Sequence, residues 1–285
     1  MNYNSIVVIN AKNANFNAGF DGLPRRLPDG RIFATDKALK YCIRQYLSKK
    51  DPVFVQREKE FVTEKGKDEP VLRYLTLQQN YLKKCKKDKM PKNEKEILDD
   101  LNKFIDIRLF GVVFAVDSNI SLTGPCQISY GVNQYGASSI FTTEILSPFR
   151  NPSEKSEESR QTTMGEQSRA DDVYYVYDVC VSMNSAKKQG IPLMEEDIKK
   201  LKEALKYSVD EVTSTTKFGC ETVSMIWFAN KGDKVFNNLN ALVKVTKETD
   251  EAVVDYTKVI QLIKNDVDLK SIEQYANKVR NIVPG

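Results

Sequence analysis

Residues 106–131, DIRLFGVVFAVDSNISLTGPCQISYG, constrain the fold more than any other stretch of this chain. From 107 to 116 the run is almost wholly β-branched, aliphatic or aromatic. Alternation puts Phe110, Val112, Phe114 and Val116 on one face and Leu109, Val113 and Ala115 on the other. Apolar residues on both faces predict a strand buried on both sides, interrupted only by Arg108 and Gly111. A glycine inside such a strand marks a bulge or the close approach of another backbone or a ligand. Asp117, Ser118 and Asn119 predict a turn. Gly124 and Pro125 then open a second strand over 127–130, which ends on Gly131. The expectation is a central hairpin that serves as the backbone of the domain.

A chain of 285 residues, 41% of them hydrophobic, can bury one large core or two small ones around that hairpin. No apolar run approaches the roughly 20 residues that span a bilayer, and the N-terminus lacks the order of a signal peptide. A cytoplasmic protein with no membrane partner is expected. The five cysteines (Cys42, Cys85, Cys126, Cys180 and Cys220) include no close pair, so neither a zinc knuckle nor a redox CxxC is present. They read as reduced and mostly buried. The chain contains no histidine, which removes Ser-His-Asp and Cys-His triads and every His-containing metal site. No cofactor, metal or catalytic residue is expected. The net charge of +4 is too small to indicate nucleic acid, so the distribution of charge must decide.

Along the chain, 5–9 reads as a first buried strand. Residues 10–17, NAKNANFN, read as an Asn-rich loop, and Gly19, Gly22, Pro24, Pro28 and Gly30 forbid regular structure until about Ile32. Lys12, Asn13, Asn15, Asn17, Arg25 and Arg26 offer amides and cations that suit phosphate and sugar oxygens; the same residues also describe an Asn-capped surface loop. Thr35 or Asp36 caps a helix over 37–47 with Leu39, Cys42, Ile43, Tyr46 and Leu47 inward. Lys37, Lys40, Tyr41 and Arg44 fall on its other side, as either a backbone-tracking face or a solvated one. Residues 51–100 are charge-dense and poor in strand signal, and 83–89, KKCKKDK, form a basic knot. Residues 138–145 return as a strand. The polar segment 147–172 is far longer than most connections in a compact domain. Residues 173–183 predict a strand and 195–207 a helix with acids in its first turn. Residues 223–228 and 242–245 predict further strands, and a terminal amphipathic helix is expected near 272–279. Without the insertions the order is strand, helix, strand, strand, helix, strand, the arrangement of ferredoxin-like and RRM-type domains.

Five segments carry a resemblance: ATDKALKYCIRQYL (34–47), DIRLFG (106–111), GPCQISYG (124–131), TTMGEQSRADD (162–172) and GIPLMEEDIKKLKEAL (190–205). In this order the chain resembles the Cas7 backbone subunits of type I CRISPR Cascade complexes, within the RAMP superfamily, and most the Csh2 subfamily of type I-B systems. The resemblance implies an α+β fold in three parts. A ferredoxin-like or RRM-like palm would take residues 1–48, 101–146 and 173–285, a large inserted finger region 49–100, and a long β-hairpin-type thumb 147–172. It implies partners as well: CRISPR RNA, neighbouring copies of the chain, other Cascade subunits, and target DNA by way of the guide. Carried over by motif, the 10–17 loop and the Lys37, Lys40, Arg44 face are similar to the family's guide-backbone contacts, with Arg108 counted beside them. Gly124 and Gln127 match a GPxQ stretch on the palm. Met164, Gly165, Gln167 and Arg169 match the thumb, where an apolar side chain wedges between bases. Glu166 departs from the arginine-rich pattern after TMG, and a histidine common near that point is absent.

Both readings lead to a non-catalytic subunit that binds the guide by phosphate neutralisation and leaves sequence reading to base pairing. The alternative is a RAMP-type endoribonuclease that cuts target RNA with a palm aspartate, for which Asp21, Asp29 and Asp36 are the candidates. A third reading, a protein-only structural module, makes the basic residues mere surface.

Overall fold

The computed structural model describes residues 2–63, 69–116, 119–146, 164–249 and 251–284. Its centre is the strand Asn2–Ala14, hydrogen-bonded along one edge to the long strand Met164–Val181 and along the other to Cys220–Asn230, both antiparallel. Alternation explains why it lies in the middle. Ile6 and Val8 face one core with Val176, Ile226 and Phe228, while Val7 and Ile9 face a second with Tyr175, Tyr177 and Met225. The helices Asp36–Leu47 and Glu195–Tyr207 cover the second core through Leu39, Cys42, Ile43, Ile198, Leu201 and Leu205. A C-terminal layer covers the first: the three-stranded sheet of Lys244–Glu248, Glu251–Asp255 and Val279–Ile282, with the helix Thr257–Ile263.

Among the described residues the main sheet has eight strands. Glu273–Ala276, Cys220–Asn230, Asn2–Ala14 and Met164–Val181 lie side by side, followed by Gly131–Asn133 and Phe33–Ala34; Cys126–Ile128 and Ile140–Leu146 also pair with the long strand. Among the described residues, the first half of the long strand, from Met164 to Ala170, pairs with Ala14 and Ile140–Leu146 and no other strand. Residues 142–146 of that ribbon are all exposed, so it stands off the core. The cysteines are unpaired, with Cys42, Cys126 and Cys220 buried. Among the described residues no helix is long and apolar enough to cross a membrane.

The expected central hairpin is corrected. Residues Ile105–Phe110 form a helix, all six of them buried, and Gly111 ends it at φ 73°. A short apolar run buried all round reads alike as strand or helix, and here the buried Asp106 carboxylate decides. It accepts the backbone N–H groups of Phe54 and Val55 at 2.7 and 2.9 Å and pairs with Arg44 at 3.0 Å. The real hairpin is Gly111–Ala115 with Asn119–Thr123, a separate two-stranded sheet. The expected turn residues Asp117 and Ser118 lie outside the described residues, as do 147–163 of the expected thumb and the side chain of Met164.

Other expectations also change. The first strand continues through Asn10 to Ala14 because the Asn10 amide donates to Asp172 Oδ1 and to the Val173 carbonyl, so its polarity is spent inside the sheet. The terminal helix near 272–279 is instead the strands Glu273–Ala276 and Val279–Ile282. Residues Leu239–Leu242 form a 3-10 turn before the strand at Lys244. Residues 59–101 hold a hairpin, Lys59–Thr63 with Pro70–Tyr74, and the helices Leu77–Cys85 and Glu94–Leu101. The basic knot is largely neutralised there: Lys83 pairs with Glu58 and Glu60, Lys84 with Glu58, and Lys87 with Glu96 and Asp100.

One polar cluster fastens the C-terminal layer to the sheet. Asn4 donates to the Phe236 carbonyl and accepts from Asn230, while the buried Asp178 accepts the Leu239 N–H at 3.0 Å. The other Asp178 oxygen is buried, with no hydrogen-bond partner among the described residues. Burial outweighs the backbone donors and pushes this carboxyl from its ordinary 3.8 up to about 6. Because the folded value is the higher one, stability from this group is fully present below about pH 4 and is lost as pH rises through about 6. That rise corresponds to roughly 3 kcal/mol. Asp178→Asn keeps the acceptor for Leu239 and removes the charge. Urea unfolding should therefore show it more stable than wild type at pH 7.5, with the difference closing by about pH 4. A difference independent of pH would place the cost elsewhere.

Candidate nucleic-acid interface

The end of the first strand is the meeting point of four segments. Lys12 donates its backbone N–H to the Gly219 carbonyl at 2.9 Å, and Asn15 donates its own to Thr216 at 2.7 Å. Gly219 has φ +96°, and a Cβ there would lie 2.4 Å from the Lys12 carbonyl oxygen, so only glycine permits this approach. The Asn15 side chain donates to the Gly22 and Ser168 carbonyls at 3.0 and 3.1 Å. It is buried, which corrects its place among the expected RNA contacts: it joins the 19–23 turn, the long strand and the 214–219 turn. Asn17 is likewise committed, its Oδ1 accepting both the N–H and the hydroxyl of Thr35, the N-cap of the first helix.

Around these fasteners some cations stay open. Lys12 and Asn13 are exposed, and among the described residues Lys12 has no carboxylate partner. Arg169 donates to the Asn13 carbonyl at 2.9 Å, to Gln167 Oε1 at 3.1 Å and to the Thr215 carbonyl at 3.4 Å. All three acceptors are neutral, and among the described residues no carboxylate pairs with this half-buried guanidinium. Lys217 is drawn inward to the Phe16 carbonyl and ring, and burial lowers its pKa. Gly165 lies exposed on the projecting ribbon.

The helix face divides. Lys37, 86% exposed, and Tyr41 point outward, Lys37 with only a 3.6 Å contact to Asp36. Lys40 pairs with Asp36 at 3.1 Å and Arg44 with Asp106 at 3.0 Å; both cations lie over the Phe110 ring, 5.4 and 5.1 Å from its centroid. Gln127 is exposed and bonds the Gly124 carbonyl, whereas Gly124 itself packs so tightly that a Cβ would come 2.1 Å from the Phe110 backbone. Arg26 is exposed and donates to the Gly30 carbonyl at 3.3 Å; Arg25 is half-buried beside it. Arg108 is corrected outright. Its guanidinium makes a bidentate pair with the buried Asp197 at 2.7 and 2.8 Å and caps the carbonyls of Asn102 and Lys103, which occupies it entirely inside the protein.

The structure adds two residues that composition and spacing did not single out, Phe20 and Phe218, both largely exposed on the turns held by Asn15. The signal for each was present: a phenylalanine inside a Gly/Asp turn, and another inside STTKFG. Among the described residues no group of three acidic or sulfur side chains converges as a metal site. Asp21 accepts the Leu23 N–H, Asp29 pairs with Arg31, and Asp36 pairs with Lys40, so each candidate aspartate serves a local bond.

A family profile described as CRISPR-associated protein Cas7 matches residues 1–279. No curated protein matches the chain. Among solved structures, a chain described as "CRISPR RNA-guided surveillance complex, pre-nicking" is similar at a TM-score of 0.58 and 13% identity, covering 100% of this chain and 97% of that one. A chain described as "CRISPR RNA-guided surveillance complex" reaches a TM-score of 0.49 at 11% identity over 83% of this chain and 72% of that one. The first likeness shows a shared fold along the whole chain.

The two arginines with opposite placements should behave oppositely. Arg108→Ala strands the buried Asp197 and is expected to cost about 3 kcal/mol or more in urea unfolding. Arg169→Ala, which leaves only carbonyls near water, should cost less than about 1 kcal/mol. Equal stability of the Arg108→Ala variant and wild type would refute the buried pair.

Proposed function

Because the chain belongs to the Cas7 family of CRISPR-associated proteins, we propose that it is a non-catalytic backbone subunit of a type I surveillance complex that holds the guide RNA by its phosphates. The observation that carries this reading is the strand-end surface, where Lys12 and Arg169 keep charges that no carboxylate among the described residues neutralises. Cations of this kind bind any RNA sequence alike, so target reading is left to guide pairing with DNA. Lys37 and Tyr41 extend the surface along the helix, with Gln127, Arg25 and Arg26 at its margins. The five matching segments favour the Csh2 type of I-B systems. The main sheet with its two helices reads as an RRM-like palm, residues 49–100 as the finger, and the exposed ribbon as the root of a thumb over 147–172. Met164 and Gly165 belong to that thumb as wedge and close-approach residues. Neighbouring copies and other Cascade subunits complete the set of partners.

The ribonuclease alternative is disfavoured by the local bonds that occupy Asp21, Asp29 and Asp36. Incubating an assembled guide complex with complementary RNA and Mg²⁺ should yield no regular cuts; products lost on Asp36→Ala would establish the enzyme instead. For binding, RNA that co-purifies with the protein is to be sequenced and then replaced with single-stranded RNA of mixed sequences. Substituting Lys12, Lys37 and Arg169 with Ala should weaken all sequences equally. The salt dependence should become shallower by roughly 0.7 per lost phosphate contact. Lys40 and Arg44 are kept in this test, because removing them uncovers Asp36 and Asp106. Unchanged affinity and slope in the triple variant would return these residues to ordinary surface.

A further inference from the structure

We infer that Phe20 and Phe218 are base-stacking rings, set on two rigid turns so that unpaired nucleotides of bound single-stranded RNA lie against them; this rests on the RNA-binding reading above. Among the described residues these are the two most exposed large apolar side chains, at 108% and 82%. Both stand at one place in the fold. The Asn15 side chain holds the Gly22 carbonyl and the Asn15 backbone N–H holds that of Thr216, so the two tips are carried by a single buried residue.

Neither turn is loose. Gly19 donates to Leu23 at 2.8 Å, Gly22 to Gly19 at 3.2 Å, and Leu23 N–H to Asp21 Oδ1 at 3.0 Å. In the second turn Lys217 and Phe218 both donate to Ser214, at 3.0 and 2.8 Å, and Cys220 donates to Lys217 at 2.9 Å. A single exposed ring needs no partner to explain it; what points to one here is that two such rings stand on hydrogen-bonded turns joined through Asn15, beside cations with no carboxylate partner among the described residues. The surroundings select the partner's chemistry. Lys12 and Arg169 lie at the same strand end with their charges open, and Asn13, Ser214, Thr215 and Thr216 are polar. The two rings are thus separate apolar points in a polar field, not a continuous apolar patch of the kind a protein partner buries. That field holds Lys12 and Arg169 and, beside Phe20, the carboxylate of Asp21, already bonded to the Leu23 N–H. Aromatic faces interleaved with cations match single-stranded nucleic acid: phosphates go to the cations and bases to the rings, with no demand on sequence.

The test titrates fluorescently labelled single-stranded RNA of mixed sequence with the full chain at several salt concentrations. Phe20→Ala and Phe218→Ala should each weaken binding about tenfold, within the range of one lost base stack, with the salt slope unchanged. Phe218→Tyr, which keeps a flat ring, should restore most of the affinity. Phe218→Trp adds an exposed indole to the buried Trp227, and RNA should quench the new emission. Thermal melts of the variants should match wild type, since neither ring is packed. If both alanine variants bind as wild type while the cation variants lose slope, the rings do not stack and the RNA reading stands without them. If they lose self-association in sedimentation at unchanged RNA affinity, the rings serve a protein interface and the inference fails. If the wild-type chain binds no RNA at any salt concentration, the RNA reading and this inference fall together.

Discussion

The fold depends on one strand being paired along both edges. Asn2–Ala14 presents apolar side chains to both faces, so it can be satisfied only in the middle of a sheet with a covered face on each side. That requirement places Met164–Val181 and Cys220–Asn230 beside it, brings the two long helices onto one face and draws the C-terminal layer onto the other. The candidate surface is a by-product of the same strand. Where it runs out past Ala11 its ladder partners diverge, and the gap is closed by Asn15, Gly219 and the two turns.

Elements that bury one face were legible in the residues. The stripe of Leu39, Cys42 and Ile43 marks the first helix, and the acids at 195–197 mark the start of the second. Strands buried on both faces were legible too where the run is long enough, as at 5–9 and 223–228; short runs buried all round and elements that bury neither face were not. Ile105–Phe110 is buried all round and reads equally as strand. In the ribbon, the Ile140–Leu146 half was legible as a strand over 138–145, whereas its partner over 164–170 is polar on both sides, carries no period-two signal and falls inside the stretch read as a long connection. The strand Glu273–Ala276 is an edge whose residues are mostly exposed, and its spacing imitates an amphipathic helix.

The same limit governs the cations. Lys40, Arg44 and Arg108 look like RNA contacts when counted by sign and spacing. Lys40 is neutralised by Asp36 four residues before it, which the spacing itself allows, but Asp106 lies 62 residues from Arg44 and Asp197 lies 89 residues from Arg108, so the neutralisation of the two arginines is a property of the folded chain alone. Lys12 and Arg169 differ from them only in what the fold declines to bring near. An open positive charge is therefore a tertiary feature, and the residue type is a poor guide to it.

The long strand Met164–Val181 has a mechanical consequence. It is one uninterrupted 18-residue element whose first part lies in the exposed ribbon and whose last part is clamped in the core. No hinge separates the two. A pull on the ribbon along its own axis runs into the eleven residue pairs with the first strand, which are loaded in parallel as shear instead of opening one after another. Whatever grips the ribbon thus grips the whole sheet, and the protein answers as a rigid lever instead of a tethered arm.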